Sequence, residues 1–496
     1  MTVHTEPIYA TTDVADVGRR AHNAQAAYAE LSLPARIELL RAWAHAVEQA
    51  QPELVDVAAD ESHLPRPRLE GEVARTASQF RQMAEVLADG APLEATIDSP
   101  NPALVPPRPD LRRVNVAVGP VAVYAASNFP FAFGAAGTDT SSALAAGCVV
   151  VVKAHPLQRR TANLSVTLLR RIADAHGLPA DVVQVVHGFG AGLALIQDPH
   201  IRAGAFTGST AGGRALFDLA SARPDPVPFY GELGSVNPVL VTRAAAATDA
   251  EGLASELAGS IAGSSGQLCT RPSLLLVPAD SDGDRFATLL AEALTATSPG
   301  QMLSDDIAKR YETSVATLST RAEVRSALGQ QENGGPLPAL CTVSGADLLA
   351  DPKPYLEELF GPFALAVRYQ NAEELDAILA VLPGSLTFTL RGVAGDPELT
   401  PSIVATARLK AGRLLGAGVP TGVSVTEAQM HGGAWPAATS PMHSSVGTLA
   451  IRRFLRPVAY QDFPTALLPA ELRDGNPLGI ARRVDGRWIA THAGLD

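Results

Sequence analysis

The chain is poor in cysteine. Only Cys148, Cys269 and Cys341 occur in 496 residues, too few and too scattered for a disulfide framework. No CxxC pair offers zinc its usual ligand spacing, so no metal site is read from them. The low count fits a reducing compartment, and Met1 to Thr12 lacks an apolar signal core, so the expected location is cytoplasmic. Long apolar runs are missing as well. Stretches such as Cys148 to Val152 fall far short of the ~20 residues that a membrane-spanning helix needs, and no membrane association is expected. Positive charge is in the minority, with 39 Lys and Arg against 51 Asp and Glu. A chain with net charge −12 presents no general surface for phosphate backbones, which argues against nucleic acid as a partner. Apolar residues at 46% and charged residues at 18% mark a globular protein, and the length exceeds what one core accommodates.

What is present is an alternation of elements. Ala21 to Leu31 and Pro34 to Ala50 read as helices. Leu39, Leu40, Trp43 and Val47 form a buried stripe in the second, with Ser32 as its cap and Pro34 in its first turn. The proline-rich passage Ser99 to Pro109 reads as a connector, either an interdomain linker or a long surface loop. From Arg113 strands and helices alternate. Val114 to Ala126 is β-rich, Phe131 to Ala146 reads as a helix, and Cys148 to Lys153, Val182 to Val186, Ala203 to Thr207 and Pro228 to Leu233 read as strands. Helices are expected at Thr161 to Ala175 and Gly212 to Ala222. A second series follows, with strands at Asn237 to Val241, Ser273 to Pro278, Ala364 to Tyr369 and Thr387 to Arg391. Helices fit between them at Leu253 to Ala262, Asp284 to Thr295 and Ala372 to Val381, and Gln330 to Pro338 reads as a surface loop. Strands without polar alternation imply parallel sheets covered on both faces, and two such series imply two lobes with a cleft between them.

Several residues stand where chemistry is possible. Small, flexible residues surround Cys269 in Gly263-Ser-Ser-Gly-Gln-Leu-Cys269, as an accessible nucleophilic thiolate requires; a small buried hydrophobe is the alternative. Glu232 is a single carboxylate in an apolar, glycine-bearing stretch, where burial would raise its pKa toward a useful range; bonding to local backbone is equally open. Asn128 follows a strand and could donate to an oxyanion or cap a helix. Lys153 ends a strand, where a parallel sheet faces its ligand crevice. Gly208 and Ser209 lie between a strand and a helix start, a place for phosphate or an ordinary turn. Neither this turn nor Gly188-Phe-Gly190-Ala-Gly192 is the GxGxxG fingerprint.

Taken in order from about Val114 to about Pro464, these segments resemble the aldehyde dehydrogenase superfamily. The likeness is to the branch of α-ketoglutarate semialdehyde (2,5-dioxovalerate) dehydrogenases and NADP-dependent fatty aldehyde dehydrogenases. Lys153-Ala-His-Pro156, Phe206-Thr-Gly-Ser209, Phe229-Tyr-Gly-Glu-Leu-Gly-Ser-Val-Asn-Pro238, Met430-His-Gly-Gly433 and Arg452-Arg-Phe-Leu-Arg-Pro-Val-Ala-Tyr460 carry it. The resemblance implies Cys269 as nucleophile, Glu232 as general base, and Asn128 as oxyanion donor with the Cys269 N–H. It also implies Glu358, with Phe360 beside it, at the nicotinamide ribose, Lys153 at the adenosine ribose, and Gly208 with Ser209 at the pyrophosphate. The implied cofactor is NADP (or NAD). Pro156 stands where many NAD-preferring members carry a glutamate, which favours NADP, and Arg159 and Arg160 are nearby candidates for positive charge. The implied fold is α/β, two doubly wound lobes with a small β bridging and oligomerisation element. A cofactor-binding domain would span 1–99 and 119–234, a catalytic domain 235–445, and the bridge 100–118 and 446–496, in a homodimer or homotetramer. The implied reaction oxidises a small-molecule aldehyde, 2,5-dioxopentanoate in the first place, to its acid through a thiohemiacetal and a thioester. A long-chain fatty aldehyde, a CoA-acylating enzyme and a non-catalytic cofactor-binding protein remain alternatives. Arg271 is a candidate cation for a substrate carboxylate, and His431 is either a pocket residue or a loop support.

Overall fold

A computed structural model describes residues 11–330, 334–395 and 400–489. Four helices open the chain, Thr11–Ala29, Leu33–Gln49, Gln51–Ser62 and Arg66–Asp89. Ser32 caps the second by accepting from the Ala35 N–H, and its leucine and tryptophan stripe is buried as the periodicity predicts.

Three sheets follow. The first is five-stranded and wholly parallel, in the order Val183–Val186, Val150–Lys153, Val121–Tyr124, Ala203–Thr207, Phe229–Glu232. Chain order reverses about Val121–Tyr124, which creates a switch-point crevice at the carboxyl ends of the strands. The second sheet is seven-stranded and parallel except for Arg325–Leu328 at one edge. It contains Pro238–Val241, Leu274–Pro278, Phe363–Tyr369 and Ser385–Arg391, as the apolar runs predict, together with Ala339–Ser344 and Ala411–Leu415. The α/β fold with parallel sheets is therefore as expected.

The third sheet is small and joins distant parts of the chain, in the order Leu455–Gln461, Leu111–Ala117, Thr96–Asp98, Arg482–Val484, Arg487–Ile489. The proline-rich passage is the loop between its first two strands, pinned by the Asn101–Arg108 bridge. Of the expected helix Phe131 to Ala146, only Thr138–Ala146 is helical. A cluster of turns precedes it, in which the Gly137 N–H bonds the Gly134 carbonyl and the Thr138 N–H bonds the Ala132 carbonyl. The expected loop at Gln330 to Pro338 lies partly outside the described residues. Among the described residues, no helix is long and apolar enough to cross a membrane.

Candidate active site

The carboxyl ends of the first sheet bring four of the expected site residues to one edge. Lys153 and Glu232 are the last residues of their strands, and Gly208 and Ser209 directly follow a third. Ser209 caps the helix Thr210–Ser221 by accepting from the Gly212 N–H, and both Gly208 and Ser209 are exposed at that helix N-terminus. Lys153 is half-buried with no hydrogen bond or ion pair among the described residues, and burial lowers its pKa.

Cys269 arrives on a shaped loop. Ser264, Ser265 and Gly266 run consecutively through left-handed conformations, with φ of 53°, 55° and 67°. Such conformations cost non-glycine residues of order 1 kcal/mol each, so the surroundings must hold them. They do. Arg68 Nη1 donates to Ser264 Oγ at 2.7 Å, and Ser265 Oγ donates to the Gly300 carbonyl at 2.7 Å. Gly266 lies so close to the Gly361 backbone that a Cβ would sit 2.1 Å from its carbonyl carbon. Downstream, Asn237 Nδ2 donates to the Cys269 and Arg271 carbonyls at 2.8 and 2.9 Å.

Cys269, Glu232 and His431 form a tight group whose potential donor atoms all lie within 4.8 Å of one another. Cys269 Sγ is 3.6 Å from His431 Nε2, and the same nitrogen is 2.9 Å from Glu232 Oε1. Because one imidazole nitrogen faces both partners, His431 cannot relay a proton between its two nitrogens here; it holds the carboxylate and the sulfur together. Ser445 Oγ donates to the other carboxylate oxygen, Oε2, at 2.7 Å. A cavity of about 20 Å³ adjoins Glu232, His431 and Ser445, room for about one water molecule.

The electrostatics separate the two reactive groups. Burial pushes the Cys269 thiol well above its usual pKa, and Glu232 adds to this by its charge and a hydrogen bond. Burial also acts to raise Glu232, but His431 beside it, with hydrogen bonds from Ser445 and Cys269, outweighs that and leaves its pKa lowered. The expected elevation of Glu232 by burial is thus corrected: the buried carboxylate is ionised because it has partners. At neutral pH the pair is a protonated thiol next to a carboxylate, the arrangement a general base needs.

Asn128 lies between the strand Val121–Tyr124 and the helix Thr138–Ala146, and its Nδ2 donates to the Gln267 carbonyl at 3.1 Å, two residues before Cys269. Arg68 Nη2 bonds the Asn128 carbonyl at 2.5 Å, tying this loop to the cysteine loop. Glu358 approaches from the second sheet. A Cβ on Gly234 would sit 2.6 Å from Glu358 Oε2 and 2.9 Å from Thr210 Oγ1, so glycine is needed for that approach. Burial raises the Glu358 pKa to about 7, and Arg271 opposes this. Phe360 packs on the core of the first sheet.

Arg271 does not serve as a pocket cation. It is 1% exposed, its Nη2 donates to the Leu359 carbonyl at 2.7 Å, and its Nη1 donates to the Phe363 carbonyl. It supports the Glu358 segment from beneath. Arg160 is likewise committed, to Asp60. Two groups at the site carried only weak signals in the sequence. His431 is central rather than peripheral. Arg68, Glu72 and Arg75 lie in phase with the apolar stripe Leu69, Val73, Thr76 and Phe80 of the helix Arg66–Asp89, so their charges face inward; charges recurring on a buried face were the legible sign.

Residues 2–380 match the aldehyde dehydrogenase family. The chain is 42% identical over 493 residues to α-ketoglutaric semialdehyde dehydrogenase 2 of Azospirillum brasilense, covering 97% of this chain and 93% of that one. It is 38% identical over 482 residues to α-ketoglutaric semialdehyde dehydrogenase of Acinetobacter baylyi, covering 96% and 92%. In fold it is similar to the NADP-dependent glyceraldehyde-3-phosphate dehydrogenase of Bacillus halodurans, solved with NADP. The TM-score is 0.76 at 20% identity, with 92% of each chain covered. With a thiol, a carboxylate and an imidazole gathered at the ends of two parallel sheets, and with this extent of matching sequence, the chain belongs to the aldehyde dehydrogenase family and is an enzyme of it.

Proposed function

We propose that the enzyme oxidises 2,5-dioxopentanoate to the corresponding dicarboxylate, with Cys269 as nucleophile, Glu232 as base and Asn128 as oxyanion donor. The observation that carries this is the contact group of Cys269, Glu232 and His431 in a chain 42% identical to an α-ketoglutaric semialdehyde dehydrogenase. Glu232 takes the thiol proton, and the sulfur adds to the aldehyde carbon, placing negative charge on oxygen. The Asn128 amide, exchanging its Gln267 carbonyl for that oxygen, stabilises the charge together with the Cys269 N–H; one such donor is typically worth ~100- to 1000-fold in rate. An oxidised nicotinamide supplies the hydride acceptor when bound. Loss of hydride from the tetrahedral carbon leaves a thioester on Cys269. Glu232, having released the first proton to solvent, then deprotonates a water, whose attack forms the acid and breaks the C–S bond, the sulfur leaving as thiolate and taking the water's proton back from Glu232. A carboxylate base beside Cys269 favours hydrolysis over transfer to a thiol.

The chain's own groups fit a dinucleotide. Lys153 has no acceptor among the described residues, Gly208 and Ser209 are exposed at a helix N-terminus, and Glu358 sits across Gly234 from Thr210. We assign Lys153 to the adenosine ribose, Gly208 and Ser209 to the pyrophosphate, and Glu358 to the nicotinamide ribose, with Phe360 beside it. NADP is the preferred cofactor, because Pro156 leaves no carboxylate to repel a 2′-phosphate. On this reading, the lobe of the first sheet binds cofactor and the lobe of the second supplies the nucleophile. The small sheet, whose strand Leu455–Gln461 lies at its edge, mediates a homodimer or homotetramer, which light scattering tests directly; a monomer would refute it. Three unpaired cysteines support a cytoplasmic location; labelling of the intact cell's surface would refute it by marking the enzyme.

Absorbance of reduced nicotinamide tests the main reading. Turnover of 2,5-dioxopentanoate with a higher kcat/KM for NADP than for NAD, abolished in Cys269→Ala, is expected. Faster use of NAD removes the cofactor assignment. Turnover confined to long-chain aldehydes removes the substrate.

A further inference from the structure

The proposed substrate carries a carboxylate into a partly buried site, and an unpaired carboxylate there is strongly disfavoured. A cation must meet it. Four arginines lie around Cys269, and three have their guanidinium groups engaged. Arg271 is held on the Phe363 and Leu359 carbonyls. Arg68 is held by Ser264, the Asn128 carbonyl and Glu72. Arg413 donates to the Gly422 and Pro420 carbonyls.

Arg75 differs. Among the described residues it makes no hydrogen bond or ion pair, and its Nε and Nη2 are shut from solvent with no acceptor. Glu72, one helical turn away, is occupied by Arg68 Nε at 3.3 Å and by the Phe131 N–H at 3.3 Å. The Arg75 guanidinium carbon stands 5.7 Å from the centre of the Phe133 ring, and that ring is 5.9 Å from the His431 ring, which touches Cys269. Its charge reaches both Cys269 and Glu232. A buried guanidinium without an acceptor costs ~1–3 kcal/mol, and an anion at Nη1, the nitrogen that is not shut from solvent, relieves part of that cost. In 2,5-dioxopentanoate four carbon–carbon bonds separate the aldehyde carbon from the carboxylate carbon, roughly 5 Å when extended.

We propose that Arg75 is the anchor for the substrate's carboxylate, and therefore the residue that selects an aldehyde bearing a terminal acid. This rests on the substrate reading above.

The test compares kcat/KM for 2,5-dioxopentanoate with that for pentanal, an uncharged aldehyde of the same length, in the wild-type enzyme, Arg75→Gln and Arg75→Lys. The ratio of the two values on one preparation does not depend on how much of it is folded. In the wild type the ratio strongly favours the acid. Arg75→Gln is expected to lower it roughly 10- to 100-fold, the worth of a charged hydrogen-bonded contact, mainly through KM. Arg75→Lys is expected to restore part of it. An unchanged ratio in Arg75→Gln, or an equal loss on both aldehydes, overturns the anchor. A wild-type ratio near one overturns the substrate reading itself and is distinguishable from either.

Discussion

At the active site Glu232 is set two tasks that pull in opposite directions. As the base of the proposed mechanism it takes a proton; as a fixed charge it holds the Cys269 thiol protonated, second only to burial in doing so. The two tasks can be separated in the free enzyme. Glu232→Gln removes the charge and lowers the thiol pKa, so alkylation of Cys269 by iodoacetamide at pH 8 is expected to quicken several-fold. Aldehyde turnover in the same variant is expected to fall ~100-fold or more, as loss of a general base does. Slower alkylation would show that the carboxylate already serves the thiol before aldehyde binds. Cys269, Glu232 and Asn128 were legible as candidates because small residues and lone polar groups interrupt apolar runs. The low pKa of Glu232 was not legible, because it depends on His431 and Ser445, about 200 residues further along. Arg271 misled for the same reason: its neighbours in sequence say nothing of the Leu359 and Phe363 carbonyls that hold it.

Among the elements, the cysteine loop and the Glu358 segment are packed backbone to backbone through Gly266 and Gly361. Neither can move without the other, so Cys269 and the Glu358 carboxylate share one support. Gly266→Ala places a methyl group into the Gly361 carbonyl and adds a side chain at φ 67°. A loss of ~1–3 kcal/mol in stability is expected from overpacking of this kind, read as a lower Tm, with a larger proportional loss of kcat. A variant with wild-type Tm and kcat would mean that the loop has slack. The strands of both large sheets were legible because their residues are apolar without alternation, as burial on both faces requires. The strand Ala339–Ser344 was not, since Thr342 and Ser344 interrupt its apolar character. Thr138–Ala146 is fully buried, and the alanine- and glycine-rich run ahead of it reads equally well as helix or as turns.

For the molecule as a whole, buried carboxylates link stability to pH. Glu72 is 5% exposed, and burial raises its pKa to about 7 against an ordinary 4.5, with Arg68 opposing. A carboxyl group raised in the folded state contributes stability fully below about 4.5 and loses it as pH rises through about 7. Glu72→Gln cannot ionise, so its Tm relative to wild type is expected to rise steadily from pH 5 to pH 8. A difference independent of pH would show that Arg68 holds the carboxylate ionised throughout. The small sheet was the least legible part of the fold, because its strands come from parts of the chain far apart in sequence and three of the five, Thr96–Asp98, Arg482–Val484 and Arg487–Ile489, have only three residues each. Ile451, Phe454, Leu468, Leu472 and Ile480 also complete the core around the first sheet, although that sheet's last strand ends at Glu232. A ribosome adding ~5–20 residues per second therefore leaves that core open for roughly 10 to 50 s after its own strands have emerged. Throughout that interval the newborn chain exposes an apolar face that only its own last segment can cover, which makes its synthesis, more than its finished state, the time when it depends on chaperones.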